Sequence, residues 1–303
     1  MEAGEASRTA LGAAAQRAAH QVLDRGFIFP DPLAVRILGA ESGELIARAA
    51  ADPSSRKLRL FIAVRTRFSE DALVTALSGG VRQIVVLGAG LDTFAYRVAV
   101  QEHVRIFEVD HPATQTWKRK RLAEVAIPAP RALTFAPVDF EREALGSGLE
   151  HAGFDPGQRT FFSWLGVVPY LTKPAFLETL RYIANLPAGG EVVFDYANPW
   201  SGSARAERDA DHDALALRVA SVGEPFKSYF ETETLLATLV DLGMSDIEDL
   251  GPVQIRARFF PNYRGTPGNN IGGHIVRAVR SRDRPPPGIR SSMAHGAKVP
   301  APE

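Results

Sequence analysis

The sequence predicts an α/β protein in which a mainly parallel sheet carries helices on both faces and an all-helical segment precedes it. Three observations point this way. Beyond Gly79-Gly80, short β-branched runs alternate with helical stretches. Up to that point the apolar residues keep helical spacing. The first apolar run of the alternating part, Ile84-Val85-Val86-Leu87, stops at the glycine turn Gly88-Ala89-Gly90.

In chain order, residues 7–25 are alanine-rich and suit a helix that Gly26 ends. Asp31 is a candidate N-cap, with Pro32 at the first helical position and Gly39 closing a short helix. A third helical stretch runs from about Glu41 to Ala51, and Asp52-Pro53-Ser54 resets the chain. From Arg56 to Leu77 the residues Leu60, Ile62, Val64, Phe68, Leu73 and Leu77 mostly mark one helical face. Strands are expected at Gln83 to Leu87, Arg105 to Val109, Leu133 to Val138, Thr160 to Trp164, Glu191 to Asp195, Ser245 to Leu250 and His274 to Val279. Between them, helices are expected at Thr114 to Ala126, near Glu141 to Ala152, at Lys173 to Asn185 and at Thr232 to Leu242. The organisation read from this is a helical cap over 1–80 and an α/β domain over 81–280. A charged, partly helical insertion at 201–228 has the character of a lid. The proline-rich stretch 281–303 is expected to be a disordered tail.

Composition narrows the function classes. Lys plus Arg and Asp plus Glu both number 35, so a neutral chain has no general electrostatic pull toward nucleic acid or an anionic membrane. With no cysteine, thiolate nucleophiles, disulfides and Cys-ligated zinc are excluded. No apolar run reaches the roughly 18 residues of a spanning helix. Arg8, Arg17 and His20 interrupt the alanine-rich start before a secretory core forms, and a cytoplasmic protein is expected.

In an open α/β sheet, ligands bind beyond the carboxyl ends of the strands, so the glycine turn lies at the ligand edge. Glycines there allow a ligand to approach the main chain. A dinucleotide fingerprint would require a glycine where Thr93 stands, and Asp92 puts a carboxylate where a diphosphate would come. A ligand without a diphosphate, with a cationic end, fits better. Asp110 lies 22 positions after Gly88, at the end of the apolar run in "RIFEVDHP". That is where a ribose diol finds its acceptor, although an acid before Pro112 is equally suited to cap a helix. Asp139, in "FAPVDFE", could accept from an adenine amine with Phe140 stacking on the base, or cap the following helix.

Together, "QIVVLGAGLDTFAYR", "FEVDHPATQTWKRKRL", "PVDFE", "AGFD", "WLGVVPYLT" and "VVFDY" resemble the leucine carboxyl methyltransferase family over roughly residues 25–280. The resemblance is particularly to its bacterial branch of S-adenosyl-L-methionine-dependent O-methyltransferases linked to polyketide-type metabolism. It implies a class I methyltransferase (Rossmann-like) fold, a seven-stranded sheet with its last strand antiparallel. It implies that Gly88 and Gly90 line the methionine part of the cofactor, that Asp110 holds the ribose, and that Asp139 and Phe140 hold the adenine. It further implies that Arg65, rather than Arg67, meets the cofactor carboxylate. Leu165 stands where many relatives carry a glutamate facing the cofactor, in the pattern E-G-x-x-x-Y-L. The cofactor's ammonium then needs another acceptor, Asp92 or a strand-end carbonyl.

Methyl transfer from a sulfonium is an in-line displacement, and positioning supplies most of the catalysis. A carboxylate acceptor needs no base. A hydroxyl acceptor would benefit from one, and His111, His212 and His274 are the histidines to consider, although His111 is better suited to cap or pack and His274, opening a strand, to a structural role. The partner is a small-molecule acceptor, held by the N-terminal helices, the 201–228 insertion and "RFFPNYRG". In that stretch Phe259, Phe260 and Tyr263 would form an aromatic wall, and Arg258 and Arg264 could pair with an acid. Tyr170 is expected to pack beneath the cofactor. Two rival readings are a nicotinamide-dependent oxidoreductase, against which Asp92 and Thr93 argue, and a non-catalytic nucleoside-binding scaffold, which Leu165 keeps open. The sequence does not give the oligomeric state.

Overall fold

The computed structural model describes residues 7–52, 55–140, 142–199, 210–262 and 272–281. Three helices come first, α1 (Arg8–Leu23), α2 (Ser42–Ala51) and α3 (Ser55–Ser78). Ser7 caps α1, its Oγ accepting from Ala10 N at 3.1 Å. Gly26, with φ +59°, ends the segment as its position predicts. Asp31 behaves differently from the expectation. Its Oδ1 accepts from Leu33 N at 3.0 Å, but the chain beyond it forms a turn and a 3-10 stretch, Arg36–Glu41, broken at Gly39 with φ +67°.

The sheet strands are β1 (Gln83–Leu87), β2 (Arg105–Asp110), β3 (Leu133–Pro137), β4 (Thr160–Trp164), β5 (Gly190–Ala197), β6 (Ser245–Leu250) and β7 (Gly273–Arg280). Their order is β3-β2-β1-β4-β5-β7-β6. β1 pairs in parallel with β2 and β4, and β7 runs antiparallel to both β5 and β6. This is the seven-stranded, mainly parallel sheet with an antiparallel last strand that the sequence predicts. The order in which successive strands are added reverses between the parallel neighbours β1 and β4, which opens a crevice at their carboxyl ends.

The remaining helices are α4 (Phe94–Arg97), α5 (Pro112–Glu124), α6 (Leu145–His151), α7 (Lys173–Ala184), α8 (Ala210–Ser221), α9 (Thr232–Asp241) and α10 (Pro252–Phe259). Helix α6 begins later than expected, because the carbonyl of Asp139 first closes a turn with Arg142 N and Glu143 N. Helices α4 and α10 carry too little periodicity to be read from sequence.

Alternation along buried strands splits the core in two. Val85, Leu87, Phe107, Val109, Phe162 and Trp164 face Leu149, Phe176, Leu180 and Leu239 of α6, α7 and α9. Ile84, Val86, Ile106, Phe161 and Val193 face Val64, Phe68 and Leu73 of α3, together with Phe94 and Ile255. A third cluster joins α1 to the rest through Ala14, Ala18, Ile37, Leu38, Leu91 and Leu122. The alanines of α1 leave little side chain between the helix and its neighbours, so the cap lies close over the glycine turn. Among the described residues, no helix is long and apolar enough to cross a membrane. Residues 201–209 of the insertion, and 282–303 of the expected tail, lie outside the described residues, as do Tyr263, Arg264 and the side chain of His212.

Candidate functional site

A cleft of about 2140 Å³ lies along the carboxyl ends of β1 to β5. Arg65, Gly88, Gly90, Asp92, Asp110, Asp139, Phe140 and Leu165 all border it. Strand direction explains why residues so far apart in sequence meet: parallel strands end at one edge, and side chains just past their ladders face a common crevice.

The glycines are needed for a reason beyond ligand approach. Gly88 has φ +63° and Gly90 φ +42°, a left-handed backbone that side chains disfavour. A Cβ on Gly88 would collide with Val167, and one on Gly90 would lie 2.9 Å from Ala10 Cβ of α1. The bare backbone therefore makes room for the segment after β4 and for the cap helix.

Asp110 faces this turn. Its Oδ2 accepts from Gly90 N at 2.5 Å and its Oδ1 from His111 N at 2.7 Å. Burial pushes its pKa up, against the pull of those two N–H groups and of Lys118 and His111. The cap of α5 is not Asp110 but His111, whose Nδ1 accepts from Ala113 N at 3.2 Å. Nor does Asp139 cap a helix with its side chain, since α6 starts at Leu145 with Ala144 as its N-cap. His111 Nε2 lies 3.8 Å from Asp139 Oδ2.

Asp92 lies one residue before Thr93, the N-cap of the short α4, and its Oδ1 accepts from Phe94 N at 2.6 Å. Burial alone would raise its pKa, but Arg17, Lys118 and Arg97 bring it below the ordinary carboxylate range. These cations belong to an ionic framework beneath the turn. Arg17 of α1 donates to Leu91 O at 2.5 Å and to Asp31 Oδ2 at 3.0 Å, and Thr93 Oγ1 donates to the same Asp31 oxygen at 2.6 Å. Glu108 and Lys118, both fully buried, pair at 2.8 Å, and burial raises Glu108 to about 7 in spite of Lys118.

Arg65 points into the cleft and donates to Asp195 Oδ2 at 2.9 Å, while Arg67 is exposed and pairs with Asp71 at 2.8 Å. Leu165 borders the cleft and packs on the apolar layer beneath it. One expectation for the acceptor side is corrected, and the structural reading of His274 holds. Arg258 pairs with Glu248 at 2.9 Å and covers the Phe68 ring, away from the cleft. His274 is fully buried against Asp249 at 2.8 Å and is structural. Phe259 and Phe260 do border the cleft, and Tyr170 lies in its wall against Phe226. Sequence reasoning misses Asp195 and Glu224. Asp195 carries the same signal as Asp110, an acid ending an apolar run. Glu224 accepts from Arg8 N at 3.1 Å and Thr9 N at 3.0 Å, and from the Ser7 and Thr9 hydroxyls, which ties the first turn of α1 to the 222–228 segment.

Residues 10–184, more than half of the chain, match the leucine carboxyl methyltransferase family. The chain belongs to that family. Across 92% of its length it is 31% identical to the whole of "Putative S-adenosyl-L-methionine-dependent methyltransferase YktD" of Bacillus subtilis (strain 168). The fold is shared with a solved structure described as "a putative methyltransferase" from Thermobifida fusca YX, with a TM-score of 0.54 at 14% identity over 92% of this chain and 97% of that one. It is shared too with a DUF574 family protein from Streptomyces avermitilis MA-4680, with a TM-score of 0.52 at 14% identity over 88% and 96%. The protein is thus an S-adenosyl-L-methionine-dependent methyltransferase with a class I fold, and the oxidoreductase and scaffold readings fall away.

Proposed function

We propose that this methyltransferase acts on an oxygen of a small metabolite, a carboxylate in preference to a hydroxyl, with polyketide-type acids as the first class to try. The acid row around the glycine turn suits the nucleoside. Asp110 accepts from the ribose hydroxyls, Asp139 accepts from the adenine amine, and Phe140 stacks on the base. Gly88 and Gly90 face the methionine portion. Arg65 takes its carboxylate, and the buried Arg65 Nε, which has no partner among the described residues, fits that role. S-adenosyl-L-methionine supplies a sulfonium-activated methyl group.

The carboxylate preference rests on His111. Of the histidines with described side chains, it is the one bordering the cleft. Its Nδ1 lone pair is engaged by Ala113 N, so Nε2 carries the proton and turns to Asp139. It therefore has no free lone pair with which to deprotonate a hydroxyl, and a carboxylate needs no such base. The cleft has about twice the volume at the top of the usual ligand-pocket range, and Phe61, Ile255, Phe259 and Phe260 give its outer part apolar walls. That leaves room for an acceptor beside the cofactor.

The test is a labelled-methyl assay on matched sets of carboxylic acids, alcohols and phenols. Methyl esters release volatile methanol in alkali and ethers do not. Alkali-labile product is expected, and exclusively alkali-stable product overturns the carboxylate reading.

A further inference from the structure

We propose that Asp195 binds the ammonium group of the cofactor's amino-acid end, forming with Arg65 a pre-assembled clamp for a zwitterion and replacing the carboxylate that Leu165 cannot supply. The inference rests on S-adenosyl-L-methionine lying in the cleft with its methionine portion near Gly88.

Contacts run without a gap from the glycine turn to Asp195. The missing Cβ of Gly88 faces Val167, and that of the neighbouring Gly166 faces the Arg65 guanidinium. Gly166 N donates to Asp195 Oδ1 at 2.5 Å, and Arg65 Nη1 donates to Asp195 Oδ2 at 2.9 Å. Asp195 lies near the end of the strand β5, beside β4, and borders the cleft, although it is only 4% exposed. A partly exposed guanidinium beside a buried carboxylate presents one charge of each sign, the complement of an α-amino acid. Arg65 also has capacity to spare: its Nε is buried with no partner among the described residues, and a guanidinium has five donors.

The other acids at the cleft are less suited. Asp92 already answers to Arg17, Lys118 and Arg97, so an ammonium there would meet three like charges. Asp110 is taken by the ribose hydroxyls in the placement proposed above. Glu224 is engaged by the first turn of α1. At Asp195 the ligand's own carboxylate would share the neighbouring guanidinium, and each Asp195 oxygen, accepting one bond from Gly166 N or Arg65 Nη1, keeps a further lone pair for the ammonium.

The experiment measures dissociation constants by calorimetry for S-adenosylhomocysteine, its analogue lacking the amino group, and 5′-methylthioadenosine, which lacks the whole amino-acid end. Asp195→Asn keeps an oxygen for Gly166 N. It should weaken S-adenosylhomocysteine about 10- to 100-fold, the worth of a charge-assisted bond, and leave the other two ligands within about threefold. In the Asp195→Asn background, Leu165→Glu should restore binding of S-adenosylhomocysteine selectively. Equal weakening of all three ligands would mark a structural role and overturn the inference, as would undiminished binding of S-adenosylhomocysteine. Leu165→Glu alone keeps the test independent of how the Asn variant folds. It should barely change the preference for S-adenosylhomocysteine over the deaminated analogue, and a gain of about tenfold or more would show that the ammonium lacked an acceptor. A wild-type protein that binds none of the three ligands overturns the cofactor placement, and this inference with it. One that binds all three without discrimination through Asp195 overturns the inference alone.

Discussion

Replacing Asp110 by Ala should weaken S-adenosylhomocysteine by one to two orders of magnitude, and the structure separates two contributions. One is the bond that the proposed cofactor placement gives this carboxylate to the ribose. A hydrogen bond to a charged group is worth about 1.5–3 kcal/mol, or roughly 10- to 150-fold in affinity. The other is the shape of the turn. Asp110 accepts from Gly90 N at 2.5 Å and from His111 N at 2.7 Å, so Ala leaves two main-chain donors without their acceptor. That second loss is present without ligand and should appear as about 1–3 kcal/mol of unfolding free energy in urea. Asp110→Asn tells the two apart. It keeps an acceptor oxygen for one of the two main-chain donors, sets an NH2 group against the other and loses the charge, so stability should recover in part while affinity does not. The assay is calorimetric titration with S-adenosylhomocysteine, paired with urea unfolding of the unliganded variants. A dissociation constant for Asp110→Ala within about threefold of wild type refutes the ribose assignment. Weakened binding that recovers fully in Asn would show that Asp110 acts only through the turn.

Gly88→Ala should destabilise the protein by more than the roughly 1–2 kcal/mol of a left-handed backbone, because the new methyl collides with Val167. Adding Val167→Ala should restore the collision part alone, and full recovery in the double variant would show that φ at this position is unstrained. Arg17→Leu removes the nearer cation of Asp31, whose side chain is fully buried, and leaves Arg97 Nε at 3.9 Å, so urea unfolding should show a loss short of the roughly 3–5 kcal/mol of an unpaired buried charge. A loss below about 1 kcal/mol would mean that Arg97 or water serves Asp31 as well as Arg17 does. Glu108, raised by burial to about 7 from an ordinary value of 4.5, makes the folded chain bind more protons than the unfolded chain between those pH values. Its contribution to stability is therefore present in full below about pH 4.5 and is lost as pH rises through about 7. Unfolding free energy measured across that window should show this decline in the wild type and a flatter profile in Glu108→Gln, and identical slopes would contradict it.

The sheet is legible because its strands are short β-branched runs between turn signals, and β1, β4 and β6 fall where those runs do. Asp110 is legible because an acid ending an apolar strand is out of keeping with the strand and in keeping with a ligand edge. Asp195 has the same character, but no glycine turn precedes it to draw attention. Contact between distant segments is beyond the reach of sequence. Nothing local to Leu91 indicates that its carbonyl is held by Arg17, and nothing in "SVGEPF" indicates that Glu224 receives the first turn of α1. The role of the glycines is only half visible for the same reason. A missing Cβ reads as room for a ligand, whereas here it is also room for Val167 and Ala10, which only the packed chain brings near.

These long-range contacts make the cap part of the binding edge. Residues 88–93 are met by Asp110 from the end of β2, by the Arg17–Asp31–Thr93 bridge and by Ala10 of α1. A turn with two left-handed glycines has little intrinsic preference for one shape, since glycine loses more conformational entropy on ordering than any other residue. Its shape must then be imposed by its neighbours, and two of the three neighbours come from the cap, through α1 and Asp31. Whatever orders the cap therefore also prepares the turn. By linkage, a ligand that favours the ordered turn must stabilise the docking of α1 to the same extent. The alanine-rich helix that looks in sequence like a generic cover is, energetically, one wall of the site.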